Sequence, residues 1–281
     1  MKYKIEKNTV QETLIIPLYA RKVCSELYPN LYRDETAVRL IDEIDYDFSE
    51  AEKNSRGLMQ RFGSLEVAMR QNDLAFEVRD YLKSHPNAAV VNLGCGLDST
   101  GRSCDNGSCK IYNLDFPDVI AVRNELLPAG EREENIPCDL NNTEWFSQID
   151  ASGGAVFFAS GVFYYFLTEQ VKALVQKMAD AFPGSVLVFD AANRTAVKMI
   201  AKTWLKSAKI RDVDAYFAVS DAPKEIGAWD SRLQVSSRGY MLGYNDLRDP
   251  SVSGFFRFLA KVGDGMMKMQ IVKIGFGGGK W

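Results

Sequence analysis

One histidine is present in the chain, His85, and it stands beside Pro86 in a polar stretch. A nucleophile–histidine pair needs that imidazole to carry a proton, and there is no Gly-x-Ser-x-Gly elbow, so triad hydrolysis is not expected. Cysteine is also scarce: five residues, at 24, 95, 104, 109 and 138, an odd number at scattered spacings. Cys104 and Cys109 share a polar loop, but a structural zinc site needs four ligands and no second pair or further histidine completes the set. No metal is expected, and the thiols read as reduced. No apolar run approaches the roughly 18 residues of a membrane span. The opening Met1-Lys2-Tyr3-Lys4-Ile5-Glu6 lacks the apolar centre of a signal peptide, so the expectation is a cytoplasmic protein with no membrane partner. Neither sign of charge dominates: 34 Lys and Arg face 37 Asp and Glu, a net charge of −3. That leaves no global electrostatic footprint for nucleic acid. Repeats and low-complexity linkers are absent too. The 281 residues suffice for one large domain, or one domain with a cap.

The most informative stretch runs from Ala88 to Asp118. Ala88 to Leu93 is a short valine-rich run bounded by turn residues, which predicts a buried strand of a parallel sheet. Gly94-Cys95-Gly96 then lets the backbone turn sharply and approach a ligand with no Cβ in the way. A second apolar run, Lys110 to Leu114, ends in Asp115. A glycine turn after a first strand, with a carboxylate about 20 residues on, is the nucleoside-binding half of a doubly wound fold.

The remainder extends that pattern. Residues 8–28 predict a helix interrupted at Pro17, while 30–56 are charged and read as a solvated loop. A helix is expected over Leu65–Leu82, with Arg70 off its apolar stripe. Phe116-Pro117-Asp118 opens another helix. Short strands follow at Asn135–Cys138, Ala155–Ala159 and Ser185–Asp190, with an amphipathic helix N-capped by Thr168 before the last of them. A long helix is expected over Asn193–Lys209. Late strands near Leu233–Leu242 and Met269–Phe276 flank a helix near Phe255–Val262 and suggest an antiparallel edge pair. The fold class predicted is α/β: a Rossmann-like, doubly wound, mostly parallel sheet with an N-terminal helical lid. The domains expected are an arm over residues 1–64 and a main domain over 65–281, with a substrate-side insert near 210–245.

Two nucleoside ligands compete for the glycine turn. A nicotinamide dinucleotide prefers G-x-G-x-x-G, but Gly94-Cys95-Gly96-Leu97-Asp98-Ser99 lacks the third glycine and places Asp98 where a pyrophosphate would be repelled. S-adenosylmethionine carries no phosphate and tolerates nearby carboxylates, which favours a methyltransferase over an NAD(P)-dependent oxidoreductase. A non-catalytic nucleoside-binding scaffold is the third alternative.

VVNLGCGLDS, the following LDFP, the early ETLIIPLYAR, the CDL segment and AVFFASGVFYYF together resemble the leucine carboxyl methyltransferase family, which includes tetracenomycin-type O-methyltransferases. The resemblance covers roughly residues 9–192. It implies S-adenosylmethionine as cofactor, with Arg70 pairing the methionine carboxylate, Gly94 and Gly96 passing beneath the cofactor, Asp115 binding ribose, and Asp139-Leu140 beside adenine. Ser160 stands where the family has a glutamate near the methionine end, Ser99 replaces a threonine, and Thr100 occupies the place of an arginine common in bacterial members.

The reaction expected is methyl transfer from sulfonium to an oxygen in line behind it, where catalysis is mostly orientation and exclusion of water. A carboxylate acceptor needs no general base; a phenol does. Tyr164 and Tyr165, after the fourth strand, and Tyr19 and Arg21, on the arm, are the acceptor-side candidates, since an arginine there would hold an acidic group bidentately. The partner expected is a small molecule, with a protein C-terminal carboxylate as the second class.

Overall fold

The computed structural model describes residues 2–5, 10–200 and 216–277. Four apolar runs buried on both faces form most of the parallel part of one seven-stranded sheet; the fifth parallel strand, Glu133–Pro137, is polar and lies at the edge. Helix α1 (Val10–Leu27) opens the arm, after a two-residue strand β1 (Tyr3–Lys4) that pairs with β2 (Ile44–Asp45). Between them lies α2 (Glu35–Glu43); α3 (Ser49–Ser55) and α4 (Leu58–Ser84) follow. The main sheet then starts with β3 (Ala89–Leu93), α5 (Thr100–Ser103), β4 (Lys110–Asp115), α6 (Pro117–Leu126), β5 (Glu133–Pro137) and β6 (Ala155–Ala159). It continues through α7 (Thr168–Ala181), β7 (Val186–Ala191), α8 (Arg194–Ile200), α9 (Ala222–Glu225), β8 (Leu233–Gly239), α10 (Gly254–Gly265) and β9 (Gln270–Phe276).

Strand order is β5-β4-β3-β6-β7-β9-β8. The first five strands are parallel, and β9 runs antiparallel to both β7 and β8. The chain moves outward from β3 in one direction to β5, then crosses back to β6 on the other side. The topological switch therefore falls between β3 and β6, and ligands in such sheets bind beyond the carboxyl ends of the strands there. That is where the Gly94 turn and the Ser160 turn emerge side by side.

Several local expectations are corrected. Helix α1 runs unbroken through Pro17, since one lost hydrogen bond is outweighed by burial of Leu14, Ile15, Leu18 and Val23. The charged stretch after residue 30 is not a loop: Ala37, Leu40 and Ile41 are buried at helical spacing within it, and the Asp34 carboxylate accepts from the Ala37 amide at 2.8 Å as N-cap of α2. Helix α4 begins seven residues earlier than expected, so residue 64 lies inside one continuous helix. The N-cap of α7 is Leu167, whose amide donates to Gln170 Oε1 at 2.8 Å. Of the helix expected over 193–209, α8 is the described part and the rest lies outside the described residues, as does the start of the 210–245 insert.

The arm packs against the main domain through α1, which lies on α4, α2 and α6. Leu14, Leu18 and Val23 of α1 share one apolar cluster with Leu97, Val119 and Val122 beside the glycine turn.

Candidate active site

The turn after β3 is held open by backbone geometry. Gly94 and Gly96 adopt φ of +67° and +46°, in the left-handed region that disfavours a side chain. A Cβ on Gly94 would lie 2.6 Å from Val162 Cγ2, and one on Gly96 would lie 3.1 Å from Leu14 Cδ2. Both positions are thus closed to a side chain by the Val162 and Leu14 side chains packed against the turn. Asp115, at the end of β4, orients its carboxylate through two backbone amides: Gly96 donates to Oδ2 at 2.7 Å and Phe116 to Oδ1 at 2.8 Å. Burial raises its pKa, and these two donors pull back toward ionisation. Each oxygen keeps a lone pair for a further donor, the requirement for gripping a diol.

Beneath the turn lies a residue that sequence reasoning missed. Arg123 of α6 is 1% exposed, and its Nη1 donates to the carbonyls of Gly96 at 2.9 Å and Asp98 at 2.8 Å. Asp98 itself points inward, accepting from Asn92 Nδ2 at 3.1 Å and from the amide and hydroxyl of Thr100 at 3.0 and 2.7 Å. The carboxylate that argued against a pyrophosphate is thus a brace of the turn, and Thr100 is its partner.

Across the switch point, Arg70 reaches from α4 to the turn after β6. Its Nη1 meets Asp190 Oδ2 at 3.1 Å, and Asp190 Oδ1 accepts the Gly161 amide at 2.6 Å. Burial alone would lower the Arg70 pKa; the Asp190 carboxylate, with Tyr240 and Tyr164, more than offsets this and raises it. The guanidinium remains charged. Its Nε and the Ser160 hydroxyl are buried with no hydrogen-bond partner, an arrangement that costs about 1–3 kcal/mol per group unless a ligand supplies one.

These groups share one cavity of about 560 Å³, within the range of small-molecule sites. Of the expected residues, it is lined by Arg70, Gly94, Gly96, Asp115, Leu140, Ser160, Arg21, Tyr164 and Tyr165. Tyr19 is not in its wall: the ring stacks on Phe48 at 5.4 Å. Asp139 is not in its wall either; its Oδ1 accepts from the Asn141 amide and side chain at 2.9 and 3.0 Å, which shapes the turn that presents Leu140. Arg21 lines the cavity, but its guanidinium is engaged with Asp34 at 2.9 Å and the Leu97 carbonyl at 2.9 Å. Tyr164 is 5% exposed and Tyr165 48%, so the second is the one with a free ring face.

The residues present fit S-adenosylmethionine. Asp115 offers paired acceptors for ribose hydroxyls, Phe116, Val119 and Leu140 supply apolar surface for a purine, and Arg70 brings a positive charge and a buried donor without a partner to the same cavity, where a carboxylate would be the matching group.

Glu66, Tyr240 and Gly161 also line the cavity, and the sequence reading did not single them out. Glu66 precedes Arg70 by one helical turn, so the i, i+4 spacing was the available signal. Burial raises its pKa to about 8, with nearby Asp264 adding to the shift and Arg70 opposing it. Burial raises the pKa of its neighbour Asp264 to about 7, and that of Asp73, which faces Asp264 and Glu77, to about 8. A carboxyl with a raised folded pKa holds its proton in the native state, so its contribution to stability is full below the unfolded value and is lost as pH climbs through the folded one. The melting temperature should therefore fall as pH rises from about 4 to about 8. Asp264→Asn, which keeps an acceptor for the Leu242 amide (3.0 Å), should flatten that slope in scanning calorimetry; an unchanged slope would place the titration elsewhere.

A family profile for leucine carboxyl methyltransferase matches residues 18–179, more than half of the chain. The tetracenomycin polyketide synthesis O-methyltransferase TcmP of Streptomyces glaucescens is 27% identical over 183 residues. That match covers 65% of this chain and 66% of TcmP, so the chain aligns with just under two thirds of that relative's length. The S-adenosyl-L-methionine-dependent methyltransferase dpfgK of Gibberella zeae is 25% identical over 258 residues, covering 86% of this chain and 85% of dpfgK. Among solved structures, a Thermobifida fusca protein described as a candidate methyltransferase shares the fold with a TM-score of 0.56 at 18% identity, over 92% of this chain and 94% of that one. Among the described residues, no helix is long and apolar enough to cross a membrane. The matching family profile and relatives decide between the two nucleoside ligands, and the chain belongs to the leucine carboxyl methyltransferase family as an S-adenosylmethionine-dependent methyltransferase.

Proposed function

We propose that this protein methylates an oxygen, hydroxyl or carboxylate, of a small molecule held beside the cofactor, and that it works in the cytoplasm. The observation that carries this reading is the single cavity in which Asp115 and the glycine turn lie on the β3–β4 side and Arg70, Tyr165 and Tyr240 on the other. A slot for a nucleoside alone would need only the first set.

When bound, S-adenosylmethionine supplies an electrophilic methyl on a positively charged sulfur. Asp115 would fix the ribose and Arg70 the amino-acid carboxylate, so the methyl is presented in one orientation. Helix α1, through Thr13, Leu14, Ile16 and Pro17 in the cavity wall, would keep water from competing as acceptor. Helices α1 to α3 thus serve as the lid, and the chain from α4 onward as the transfer domain. TcmP, an O-methyltransferase of polyketide synthesis by name, supports an oxygen acceptor on a compact organic molecule.

The test is incubation with S-adenosylmethionine labelled in its methyl group and a panel of phenols, carboxylic acids, amines and thiols, followed by mass spectrometry. Label is expected in methyl ethers or methyl esters. Label appearing only on nitrogen or sulfur would refute an oxygen acceptor.

A further inference from the structure

Arg70 accounts for only one of the two charges at the amino-acid end of S-adenosylmethionine. The carboxylate suits a guanidinium, but the α-ammonium needs a negative counterpart, because an ammonium taken out of water without one is costly. Among the described residues three carboxylates line the cavity, and two are already committed. Asp98 accepts from Asn92 and Thr100 and braces the glycine turn, and Asp115 is fixed by two amides at the end of β4. Behind the wall, buried Asp190 accepts the Gly161 amide and pairs with Arg70. Ser160, in the turn after β6, carries no charge. Glu66 is the third carboxylate: it accepts no hydrogen bond from any described residue and stands in no ion pair with one. It is half-buried and lies one turn before Arg70 on α4, and residues four apart share a helix face.

Resting on the proposed placement of Arg70 at the cofactor's carboxylate, we infer that Glu66 holds the cofactor's ammonium, so that the two residues together clamp its zwitterionic end. An anion and a cation one helical turn apart match the two charges of an α-amino acid, which sit on either side of a single carbon. Helix α4 thus carries both charges of this subsite, and the turn after β6 shapes it without adding one.

The surroundings of Glu66 set what binding does to it. Its charged and titratable neighbours are Arg70 on α4, Asp264 on α10 and Tyr240 after β8. Burial raises its pKa to about 8, with Arg70 opposing the shift and Asp264 adding to it. At pH 7 the carboxyl of the empty cavity therefore holds its proton. An ammonium at contact distance favours the ionised form. On binding, the Glu66 O–H bond breaks, its proton passes to the buffer, and a carboxylate–ammonium pair remains. One pH unit below the pKa, that ionisation costs about ten-fold in affinity, so affinity climbs as pH approaches 8.

Proton counting by calorimetry tests this role. The probes are S-adenosylhomocysteine, which has the ammonium and no sulfonium, and 5′-methylthioadenosine, which has neither. Each is titrated into the protein at pH 7 in phosphate and in Tris, buffers whose heats of ionisation differ. The native protein should release about one proton per S-adenosylhomocysteine bound, and its affinity should rise about five- to ten-fold from pH 6.5 to 7.5. With 5′-methylthioadenosine no proton should be released. Glu66→Gln should release none with either ligand. At pH 8 it should bind S-adenosylhomocysteine at least ten-fold more weakly than the native protein and 5′-methylthioadenosine within two-fold, which also shows that the variant is folded. Asp264→Asn, which leaves Glu66 in place, should still release a proton. A proton release that persists in Glu66→Gln, or that vanishes in Asp264→Asn, would overturn the inference, as would equal weakening of both ligands in Glu66→Gln. Failure of the native protein to bind S-adenosylhomocysteine at all would refute the cofactor site itself, whereas binding without proton release refutes only the role of Glu66.

Discussion

Arg21→Ala is expected to lower the stability of the folded protein by about 3–5 kcal/mol, the usual result of removing one partner from a buried ion pair. Arg21 and Asp34 are 3% and 9% exposed, with Nε 2.9 Å from Oδ2. Burial works against the Arg21 charge, and the surrounding Tyr32, Asp34 and Asp98 more than offset it. The second arm of the guanidinium donates to the Leu97 carbonyl in the glycine turn. Alanine would therefore strand the Asp34 charge and cut the tie between α1 and the turn. At about 2–4 °C per kcal/mol for a chain of this order, thermal unfolding should move down by roughly 10 °C. Asp34→Asn in the same background should recover part of that fall by removing the stranded charge. A shift of Arg21→Ala under 2 °C would mean that the pair does not hold the arm, and the assignment of Arg21 as a latch would be wrong.

Arg70→Met should weaken S-adenosylhomocysteine binding by about 100-fold, since charged hydrogen bonds contribute about 1.5–3 kcal/mol each and a carboxylate can take two from one guanidinium. The same change leaves Asp190, whose side chain is 1% exposed, without its counter-charge, so stability will fall as well. The double variant Arg70→Met with Asp190→Asn separates the two effects: it should restore much of the melting temperature and none of the affinity. Arg70→Lys keeps the charge but loses the planar fork and should land between the native protein and Arg70→Met. Affinity within three-fold of native in Arg70→Met would show that Asp190 is the sole partner of Arg70.

The parallel sheet was legible because β3, β4, β6 and β7 are short apolar runs buried on both faces, a pattern with few alternative uses. The glycine turn and Asp115 were legible for a related reason: the close approach at Gly94 and the carboxylate at a strand end are fixed by local geometry. What lay hidden depends on partners distant in sequence. Arg123 reads as one more surface arginine on α6 until the carbonyls of Gly96 and Asp98 are seen above it. Asp190 reads as a strand terminus until Arg70, 120 residues away, arrives beside it. Helix α2 was obscured because three buried apolar positions sit among many charges, and charge density weighs against a buried face until the partner surface of α1 is known. Glu66 had no signature of its own; only its distance of one turn from Arg70 places it in the cavity.

The family resemblance implies a glutamate at the position of Ser160. The structure gives that position a buried hydroxyl without a partner next to Gly161, and Arg70 packs against that glycine, with Nη1 3.0 Å from where a Cβ would stand. The Asp190 carboxylate behind the turn accepts the Gly161 amide and pairs with Arg70, which keeps both in place.

Calorimetric titration of the native protein with S-adenosylhomocysteine and, separately, with NAD tests the central claim most directly. One site of micromolar affinity for S-adenosylhomocysteine is predicted, weakened by about 1–3 kcal/mol in Asp115→Ala as two hydroxyl hydrogen bonds are lost, with no heat from NAD. Absence of S-adenosylhomocysteine binding at millimolar concentration, or an affinity untouched by Asp115→Ala, would contradict the account.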